Sequence, residues 1–514
     1  MRPSPRPGHV LPRALAAVVL LASGCLPDSP HLEVLPDPGA CDVVITQANA
    51  ATTLAQLNDA AKRVFCVDPG DYRSFGSILL TASGTQSSRR FLRFNAPPGT
   101  DQKAIYRTWQ AIFESFDLLQ ASWWVIQGIV VEPLDPGTVW LMQIQGGDHN
   151  VLDGNLVDAS QQWNETRHVG ISIASWRSDP ATYNSVQANV VRGGNRSRRA
   201  VDYTGIRVSV SIYSGANNDF NKVLDNEIYD WGDGIQLNGD TDCSNPGRPR
   251  GTLIDGNDIY ITSAKRVDCS TGSPDPNGEC SCSENGIDLK VDPGSEARYW
   301  TRITHNRLWG FRPTLTTGSC GGSGSNGQAI TPGNECAGHV LIANNVILDA
   351  TTGVVIRGPR WTVVGNLLAD IHGGNAILPQ ETGTNLEIQF NTVIGVDTAY
   401  DDASSKTDTR CNVVIENLGQ YGQGSPTGSG HLTRYNYLYD SPTVNFFGTT
   451  NRSFPSAQES RNKPHCFWRR RWTKTEHVCI DFGHTTSESP HAAVASQCES
   501  GLGSPFGLGP ISYP

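Results

Sequence analysis

A short pattern of apolar and polar positions recurs through most of the chain. Each copy has apolar residues, then an Asn two places later, then one variable residue and a second apolar pair. The copies contain Asn155, Asn189, Asn226, Asn257, Asn306, Asn345 and Asn366 and, more weakly, Asn391 and Asn436. The closest two copies are 21 residues apart, and insertions account for the longer spacings. Such a period, with short strands and Asn at a fixed place, predicts a parallel solenoid.

A further short strand follows most copies of the pattern. It reads "HVGISIA", "YTGIRVSV", "GDGIQLNG", "ENGIDLK" and "TGVVIRG" in successive repeats. Each coil is therefore predicted to contain three short strands, with Asn at the bend between the first two. Asn tolerates a left-handed backbone and bonds to neighbouring main chain, so we interpret these residues as scaffold that can pair along the stack.

Two other stretches carry a resemblance to a known superfamily. "CVDPGDYRSFGSILLTASGT" (66–85) is similar to the opening coil of right-handed parallel β-helix proteins of the pectate-lyase-like superfamily, and "SWWVIQGIVVE" (122–132) is similar to the coil that follows. The helically spaced Leu and Ala of "NAATTLAQLNDAAK" (49–62) predict an N-terminal capping helix. The resemblance implies an all-β fold, a three-sheet right-handed parallel β-helix with an N-terminal helical cap and disulfide-braced loop insertions.

The N-terminus predicts export. Arg2, Arg6 and Arg13 precede the apolar run "ALAAVVLLA" (14–22), which is too short to span a bilayer. The run ends at "LASGC", which resembles the lipobox of bacterial lipoproteins, in which the cysteine, here Cys25, is lipidated. We therefore predict a signal peptide (1–24) and a tether (25–40), with plain cleavage and secretion as the alternative. The resemblance implies a location at the outer membrane or surface and membrane contact only through the lipid.

The remaining divisions are a β-helix domain (41–452) and a C-terminal cap or tail (453–514). Of thirteen cysteines, twelve remain after Cys25, and an even number in an exported chain favours disulfides. Plausible pairs are Cys41 with Cys66, Cys320 with Cys336, and Cys466 with Cys479. The formal charge is −10, and loss of the three leader arginines makes it −13, which argues against both nucleic acid and anionic lipid as partners of the surface as a whole. We expect a monomer.

The repeated "Gly-apolar" strands predict an outward-facing column of side chains. In "ENGIDLK", Ile287 and Leu289 face the core, so Asp288 and Lys290 face outward. The column contains Ser172, Arg207, Gln236, Asp288 and Val355, beside Ala174, Ser209, Asn238, Lys290 and Arg357. Adjacent rungs lie ~4.8 Å apart, so Lys290 is expected about 5 Å from Asn238 and about 10 Å from Arg357.

Long insertions on either side of this column supply further acidic residues. Asp240, Asp242 and Asp292 lie close to the column in sequence, and clustered carboxylates with backbone carbonyls suit Ca²⁺. We therefore name these three as possible metal ligands, with Ca²⁺ as a possible cofactor.

The superfamily resemblance implies β-elimination on an acidic, uronate-containing polysaccharide as the commonest activity. This chemistry needs a base and groups that neutralise the substrate carboxylate. We predict Lys290 as the base, Arg357 and Arg207 as carboxylate partners, and Asp288 as a group that holds Ca²⁺ or orients Lys290. Further predicted substrate contacts are Gln236, Asn238, Arg302, Arg307 and Arg312.

Two other functions stay open on the sequence. A glycoside hydrolase, or an epimerase, can use the same scaffold, but hydrolases need paired acids, and Asp233, Asp288 and Asp292 do not form an obvious outward pair. A non-catalytic surface solenoid that binds glycan is also compatible with the repeat. In that case Lys290 is simply a solvated lysine on an exposed strand.

Overall fold

The computed structural model describes most of the repeat region and part of the C-terminal tail. It covers residues 32–96, 110–135, 137–160, 168–193, 204–209, 218–239, 249–262, 284–290, 296–311, 327–333, 337–380, 382–401, 404, 407–410 and 412–415, with short strands between 432 and 480. Each complete coil contributes one strand to each of three parallel sheets, so the predicted right-handed parallel β-helix is confirmed.

In each coil, sheet one contains the strand before the Asn bend and sheet three contains the strand after it. Sheet two contains the "Gly-apolar" strand. Sheet one contains Val43–Ile45, Val64–Val67, Arg90–Phe94, Trp124–Gln127, Val151–Asp153, Ser185–Gln187, Lys222–Leu224, Leu253–Asp255, Thr301–Thr304, Val340–Ala343, Trp361–Val364, Leu386–Gln389, Thr407–Arg410 and Leu432–Arg434. Sheet two contains Ser77–Leu80, Ser115–Leu119, Trp140–Gln145, Val169–Ala174, Thr204–Ser209, Asp233–Asn238, Asn285–Lys290, Gln328–Pro332, Thr352–Ile356, Asn375–Pro379 and Thr398–Tyr400. Sheet three contains Gly70–Asp71, Ala111–Phe113, Val130–Val131, Leu156–Asp158, Val190–Arg192, Glu227–Tyr229, Asp258–Tyr260, Arg307–Trp309, Val346–Ala350, Leu367–Ile371, Thr392–Ile394, Val413–Ile415, Tyr437–Tyr439 and Arg452–Phe454.

Smaller elements decorate the solenoid. Asn218–Asp219 pairs with Pro249–Arg250 in parallel, and His465–Arg471 pairs with Lys474–Ile480 in antiparallel orientation. One α-helical turn (Ala50–Thr53) and 3₁₀ turns at Leu54–Asn58, Arg73–Phe75 and Ala297–Tyr299 are the helical elements among the described residues. In the same part of the chain, no helix combines the length and apolarity that crossing a bilayer requires.

The core is built from apolar side chains that stack from coil to coil. In sheet two, Ile206 pairs in register with Ile235, and Ile235 pairs with Ile287. All three are fully buried. Because strand side chains alternate between faces, this register turns every second residue of the same strands outward. The predicted in-register stack of the "Gly-apolar" strands is therefore confirmed.

The bend asparagines form a continuous buried ladder between sheets one and three. Its nine members are Asn155, Asn189, Asn226, Asn257, Asn306, Asn345, Asn366, Asn391 and Asn412. Each side-chain Nδ2 donates to the Oδ1 of the next member at 2.9–3.0 Å. The prediction that these residues are scaffold is confirmed, and Asn412 extends the ladder beyond the predicted copies. Asn436 lies outside the described residues.

A second, shorter ladder was not predicted. Asn150 Nδ2 donates to Asn184 Oδ1 at 3.0 Å, and Asn184 Nδ2 donates to Asn221 Oδ1 at 3.2 Å. These three residues precede strands of sheet one, so they fix the corner at which the chain enters that sheet. Their sequence surroundings vary more than those of the first ladder.

The N-terminal cap is present but shorter than predicted. Helical structure covers residues 50–58 instead of 49–62, because Asp59 adopts an extended backbone with ψ 115°. Leu57 is fully buried in the core. The side chain of Asn58 accepts from Thr81 N at 2.7 Å and donates to Leu79 O at 2.9 Å, so it covers the edge strand of sheet two.

The first predicted disulfide is confirmed. Cys41 and Cys66 are bonded, with their Cα atoms 5.7 Å apart. Cys466 and Cys479 occupy directly opposite positions in the antiparallel strand pair, and their bond stays a prediction. Cys320 and Cys336, and the loop insertions that cysteines were expected to brace, lie outside the described residues.

Candidate functional site

The outer face of sheet two carries the predicted column of polar side chains. The strand pairing aligns Arg207 with Gln236, Gln236 with Asp288, and Asp288 with Thr331. Asn238 is the direct neighbour of Lys290 on the adjacent strand. The sequence alignment of the "Gly-apolar" strands therefore predicted the register correctly in the coils around Lys290.

Five residues of two adjacent coils form a hydrogen-bonded group that we call the lysine cluster. Its members are Asp233, Gln236, Asn285, Asp288 and Lys290. Lys290 Nζ lies 2.6 Å from Asp288 Oδ2. Gln236 Nε2 donates both to that same Oδ2 at 3.1 Å and to Asp233 Oδ2 at 2.9 Å. Asn285 Nδ2 donates to Asp233 Oδ1 at 3.0 Å, so one amide on each strand holds the buried carboxyl group.

Burial separates the charged members of the lysine cluster. The Lys290 side chain is 21 % exposed, whereas that of Asp288 is 5 % exposed and Asp233 as a residue is 2 % exposed. Asp288 Oδ1 is buried and has no hydrogen-bond partner among the residues that the structure describes. A buried carboxylate oxygen without a partner is costly, and such atoms are a feature of functional sites. Of these three charged groups, Lys290 is therefore the one that a ligand on the outer face can reach.

The electrostatics of the cluster favour bound protons. Burial, with the nearby charges of Asp288 and Glu284, raises the pKa of Asp233 well above its usual value. Burial alone would lower the pKa of Lys290, but the charges of Asp288, Asp233 and Glu284 outweigh it, so that pKa is raised. Burial therefore favours the protonated form of Asp233 more than it would in an ordinary carboxyl group, and Lys290 is an ammonium group at neutral pH.

Gly333 makes room for the ion pair. It follows the strand Gln328–Pro332, which adjoins the Lys290 strand, and its N–H donates to Leu289 O at 2.8 Å. A Cβ atom at this position would lie 2.5 Å from Lys290 Cε and 2.8 Å from Asp288 Oδ1. These distances are too short for real contacts, so glycine is required for the observed positions of Lys290 and Asp288.

Arg207 and Arg357, the predicted carboxylate partners, belong to the same side of the solenoid as Lys290, but each side chain contacts another residue. Arg207 is two rungs from Asp288, about 10 Å, and its guanidinium lies 6.0 Å from the centre of the Trp140 ring. The strand that precedes Arg357 is separated from the Lys290 strand by one intervening strand, and Arg357 Nε donates to Gln380 Oε1. Arg207 is the direct cross-strand neighbour of Gln236 in the lysine cluster, whereas Arg357 follows a strand that is two rungs from Lys290.

The structure does not bring Arg302 and Arg307 to this face. Arg302 lies on sheet one, and Arg307 lies on sheet three, where it pairs with Asp258 at 2.5 Å. The bend at Asn306 separates the two arginines, so they point to different sides of the solenoid. A chain bound along sheet two would meet neither of them. Of the other predicted residues, Arg312, Asp240, Asp242, Asp292 and Cys25 lie outside the described residues.

The described carboxylates of the site do not fit a calcium ion. Asp288 is paired with an ammonium group, and both oxygens of Asp233 accept amide hydrogen bonds from Gln236 and Asn285, so neither offers a free anionic oxygen pair. Across the described ranges, no three His, Cys, Asp or Glu side chains are grouped so that they could hold a metal. The calcium site therefore stays a prediction that depends on Asp240, Asp242 and Asp292.

Sequence reasoning missed the roles of Asp233 and Gly333. Asp233 precedes the glycine of "GDGIQLNG", so it was placed at the strand start and outside the outer column. The structure nevertheless joins it to Asp288 through Gln236. The signal that could have found it is the alignment of Asp233 with Asn285, since the two are paired neighbours at the start of adjacent strands.

Comparison with known proteins identifies the scaffold. No protein-family model and no curated protein sequence matches the chain. A mannuronic acid-specific family 6 polysaccharide lyase from the human gut microbiota is similar in structure, with TM-score 0.51 and 12 % identity over 81 % of this chain and 92 % of that one. A family 6 polysaccharide lyase from Pseudopedobacter saltans has TM-score 0.51 and 11 % identity, over 80 % and 97 % of the two chains.

A variant of the family 6 alginate lyase AlyGC has TM-score 0.56 and 13 % identity. The match covers 92 % of this chain but 59 % of that one, so that lyase has a large part with no counterpart here. At these identities the likeness establishes the fold. The class of protein is thus a parallel β-helix on the scaffold of polysaccharide lyases, and its activity has to be argued from its own residues.

Proposed function

We propose that the protein is an exported polysaccharide lyase that cleaves a uronate-containing glycan by β-elimination. The observation that carries this proposal is the position of Lys290, a cation that reaches solvent from the outer face of sheet two. The similar solved structures are lyases built on the same scaffold, which supports the choice of reaction class. The acidic chain as a whole makes such a local cation the natural contact for an anionic glycan.

In this proposal Lys290 is the base. Its neutral amine takes the proton on C5 of the uronate ring, the electron pair moves to form the C4–C5 double bond, and the C4–oxygen bond breaks. Water protonates the leaving oxygen. Asp288 holds the amine in place through the 2.6 Å contact, and Gln236 Nε2 in turn fixes Asp288 through a 3.1 Å hydrogen bond. A base fixed in this way needs little reorganisation when the substrate arrives.

The raised pKa of Lys290 has a direct kinetic consequence. The neutral amine forms only as pH rises through that pKa, so the rate should climb into the alkaline range. A Lys290 that acts only as an ammonium clamp on the substrate carboxylate predicts the reverse, because activity would then fall in that range. The pH profile therefore separates the two roles of the same side chain.

A glycoside hydrolase is the second candidate. It is favoured by one observation, since Asp233 and Asp288 share the Gln236 amide and burial raises the pKa of Asp233, as a general acid requires. Hydrolysis needs both carboxyl groups beside the scissile bond. Both residues are at most 3 % exposed, so neither can reach a glycan. Accessibility therefore favours elimination through Lys290.

The test is an assay of the purified protein with pectate, alginate, hyaluronan and chondroitin, with and without Ca²⁺. Elimination produces an unsaturated sugar that absorbs in the ultraviolet. We expect this signal with at least one glycan, and we expect Lys290→Ala to abolish it. Lys222→Ala, an exposed lysine on sheet one, is the matched control. New reducing ends without absorbance would indicate hydrolysis, and binding without any product would indicate a surface lectin.

A further inference from the structure

The segment predicted as a free tether is docked along the outer face of sheet one where it is described. Leu35 packs against an outward apolar stripe that spans four successive strands. The stripe consists of Val64, Phe91, Val125 and Val151, each at most 2 % exposed. We call residues 32–41 the strap. Without the strap, this stripe would be an exposed apolar patch on the first coils.

Polar contacts fix the strap at both ends. Near its start, Glu33 pairs with Arg89 at 2.5 Å, and Glu33 and Gln187 exchange two hydrogen bonds of 3.1 and 3.2 Å. Near its end, Arg93 donates to Gly39 O at 2.8 Å, and Cys41 is bonded to Cys66. Gln187 is on the sixth strand of sheet one and Val43 is on the first, so the strap runs about 24 Å along the axis.

The strap changes where the N-terminal chain leaves the solenoid. A tether that ended at Cys41 could reach about 55 Å from Cys25, whereas the roughly seven residues from Cys25 to Leu32 reach at most about 25 Å. The exit point also moves from the capped end of the solenoid to the middle of the outer face of sheet one. The solenoid is therefore held within about 25 Å of Cys25 at this exit point.

The next coils beyond the exit carry positive charge on the same face. Lys222 pairs in register with Leu253, and Leu253 pairs with Arg302. Lys222 and Arg302 are exposed, and neither forms an ion pair among the described residues. Leu253 lies between them and is 7 % exposed. On a protein of formal charge −10, two unpaired cations beside the exit are a local reversal of sign.

We propose that the strap carries a lipid anchor on Cys25 to this point, so that the outer face of sheet one, with Lys222 and Arg302, lies against an anionic lipid surface. The outer face of sheet two, with Lys290, then does not lie against the lipid and stays accessible to a polysaccharide chain. The inference rests on lipidation of Cys25 and is independent of the proposed reaction. The anchor supplies reversible attachment, and the two cations orient the body.

The experiment uses the full-length lipidated protein and vesicles of neutral phosphatidylcholine, with or without phosphatidylglycerol. We expect tighter partitioning to the anionic vesicles, and a loss of roughly tenfold or more for the Lys222→Ala/Arg302→Ala double variant. Arg177→Ala removes an exposed cation in the turn after a sheet-two strand, and it should bind as the wild type does. Added salt should remove the difference between the two vesicle types.

Strap docking has its own measurement. In Leu35→Asp, proteolysis within residues 32–41 should accelerate at least tenfold, and the preference for anionic vesicles should fall because the exit point is released. Equal partitioning to both vesicle types overturns the proposal, as does a Cys25 that mass spectrometry shows to carry no acyl group. Each of these outcomes is independent of whether a glycan is cleaved, so failure of the lyase proposal is recognised separately.

Discussion

Two buried polar assemblies run through this molecule, and they differ in how completely their hydrogen bonds are satisfied. In the asparagine ladder, each amide in the middle of the stack donates to the next Asn and to a backbone carbonyl, and its oxygen accepts twice. In the lysine cluster, Asp288 Oδ1 has no partner within the described part of the chain, and Asp233 is buried with a raised pKa. Both assemblies are built from side chains of successive coils, the ladder at the bend between sheets one and three and the lysine cluster on the outer face of sheet two.

The difference shows how scaffold and site can be told apart on a repetitive fold. A satisfied buried network stabilises one structure and offers nothing to a ligand. An unsatisfied network is retained at a cost in stability, and a functional site is one setting in which that cost is tolerated. The predictions that follow test whether substitutions in the ladder affect stability while substitutions in the lysine cluster affect reactivity.

The largest effect is expected in the ladder. Asn257→Ala removes the side-chain donor to Val223 O and one of two donors to Asn306 Oδ1, and it removes the acceptor for the buried Asn226 N and Nδ2. We expect the free energy of unfolding to fall by about 3–4 kcal/mol, measured by urea denaturation.

The matched control for this variant is Asn155→Ala, at the first rung. Asn155 Oδ1 accepts only from Ile129 N among the described groups, so fewer partners are left unpaired. Its loss of stability should be clearly smaller than that of Asn257→Ala. Equal losses at the two rungs would contradict a role for paired neighbours on both sides.

The next effect is expected at Gly333. Gly333→Ala places a methyl group within 2.5 Å of Lys290 Cε, so the ammonium group must move. Misplacement of a catalytic group by about 1 Å can cost roughly 100-fold in rate, and we expect about 10- to 100-fold here. The measurement is kcat on the glycan that gives ultraviolet-absorbing product.

Gly137→Ala is the control for the same chemical change. Its added Cβ would meet only the exposed side chain of Asp135, at 3.1 Å, so activity should be unchanged. If Gly333→Ala retains wild-type kcat, the position of the Lys290 amine does not limit the reaction, and the proposed base is in doubt.

The fold was predictable because its signals are local. An Asn at a fixed place in each coil and strict alternation in strands such as Asn285–Lys290 are visible in the sequence and specify both register and facing. The distance between Lys290 and Asn238 follows from that register alone. No contact between distant side chains had to be known.

The features of the site that the sequence did not predict depend on contacts that occur once and do not recur from coil to coil. Asp233 enters the lysine cluster through the side-chain conformation of Gln236, which no periodic pattern encodes. Arg302 and Arg307 were expected to act together because they are close in sequence, but the bend at Asn306 turns them to different sheets. The strap was interpreted as a tether because Leu35, its partly buried apolar contact with sheet one, lies in a Pro-rich segment without periodicity.

The pH dependence of the reaction sharpens the role of the ion pair. Asp288 supplies the largest of the charge effects that raise the pKa of Lys290, so Asp288→Asn should lower that pKa. If Lys290 is the base, the alkaline rise in kcat moves to lower pH in the variant. Glu296→Gln, which removes an exposed acid near Arg298, should leave the profile in place. A profile that does not move in Asp288→Asn would remove Lys290 from the proton-transfer step.

The smallest effect concerns an acid at the far end of the same outer column. Burial raises the pKa of Asp117 to about 6, and Gln145 Nε2 donates to its Oδ2 at 3.1 Å. Because the folded-state pKa exceeds the unfolded value, this group favours the fold below about pH 4. That contribution is lost as pH rises from about 4 to 6.

Asp117→Asn keeps the acceptor for Gln145 but removes the buried charge. The variant should match the wild type in unfolding free energy at about pH 4 and exceed it by about 1–2 kcal/mol at about pH 7. Asp135→Asn, in an exposed loop, should show no such difference between the two pH values. A variant that is less stable than the wild type at neutral pH would mean that the Asp117 carboxylate has a cationic partner or a second donor besides Gln145, and the outer column would then be satisfied at this end as the ladder is.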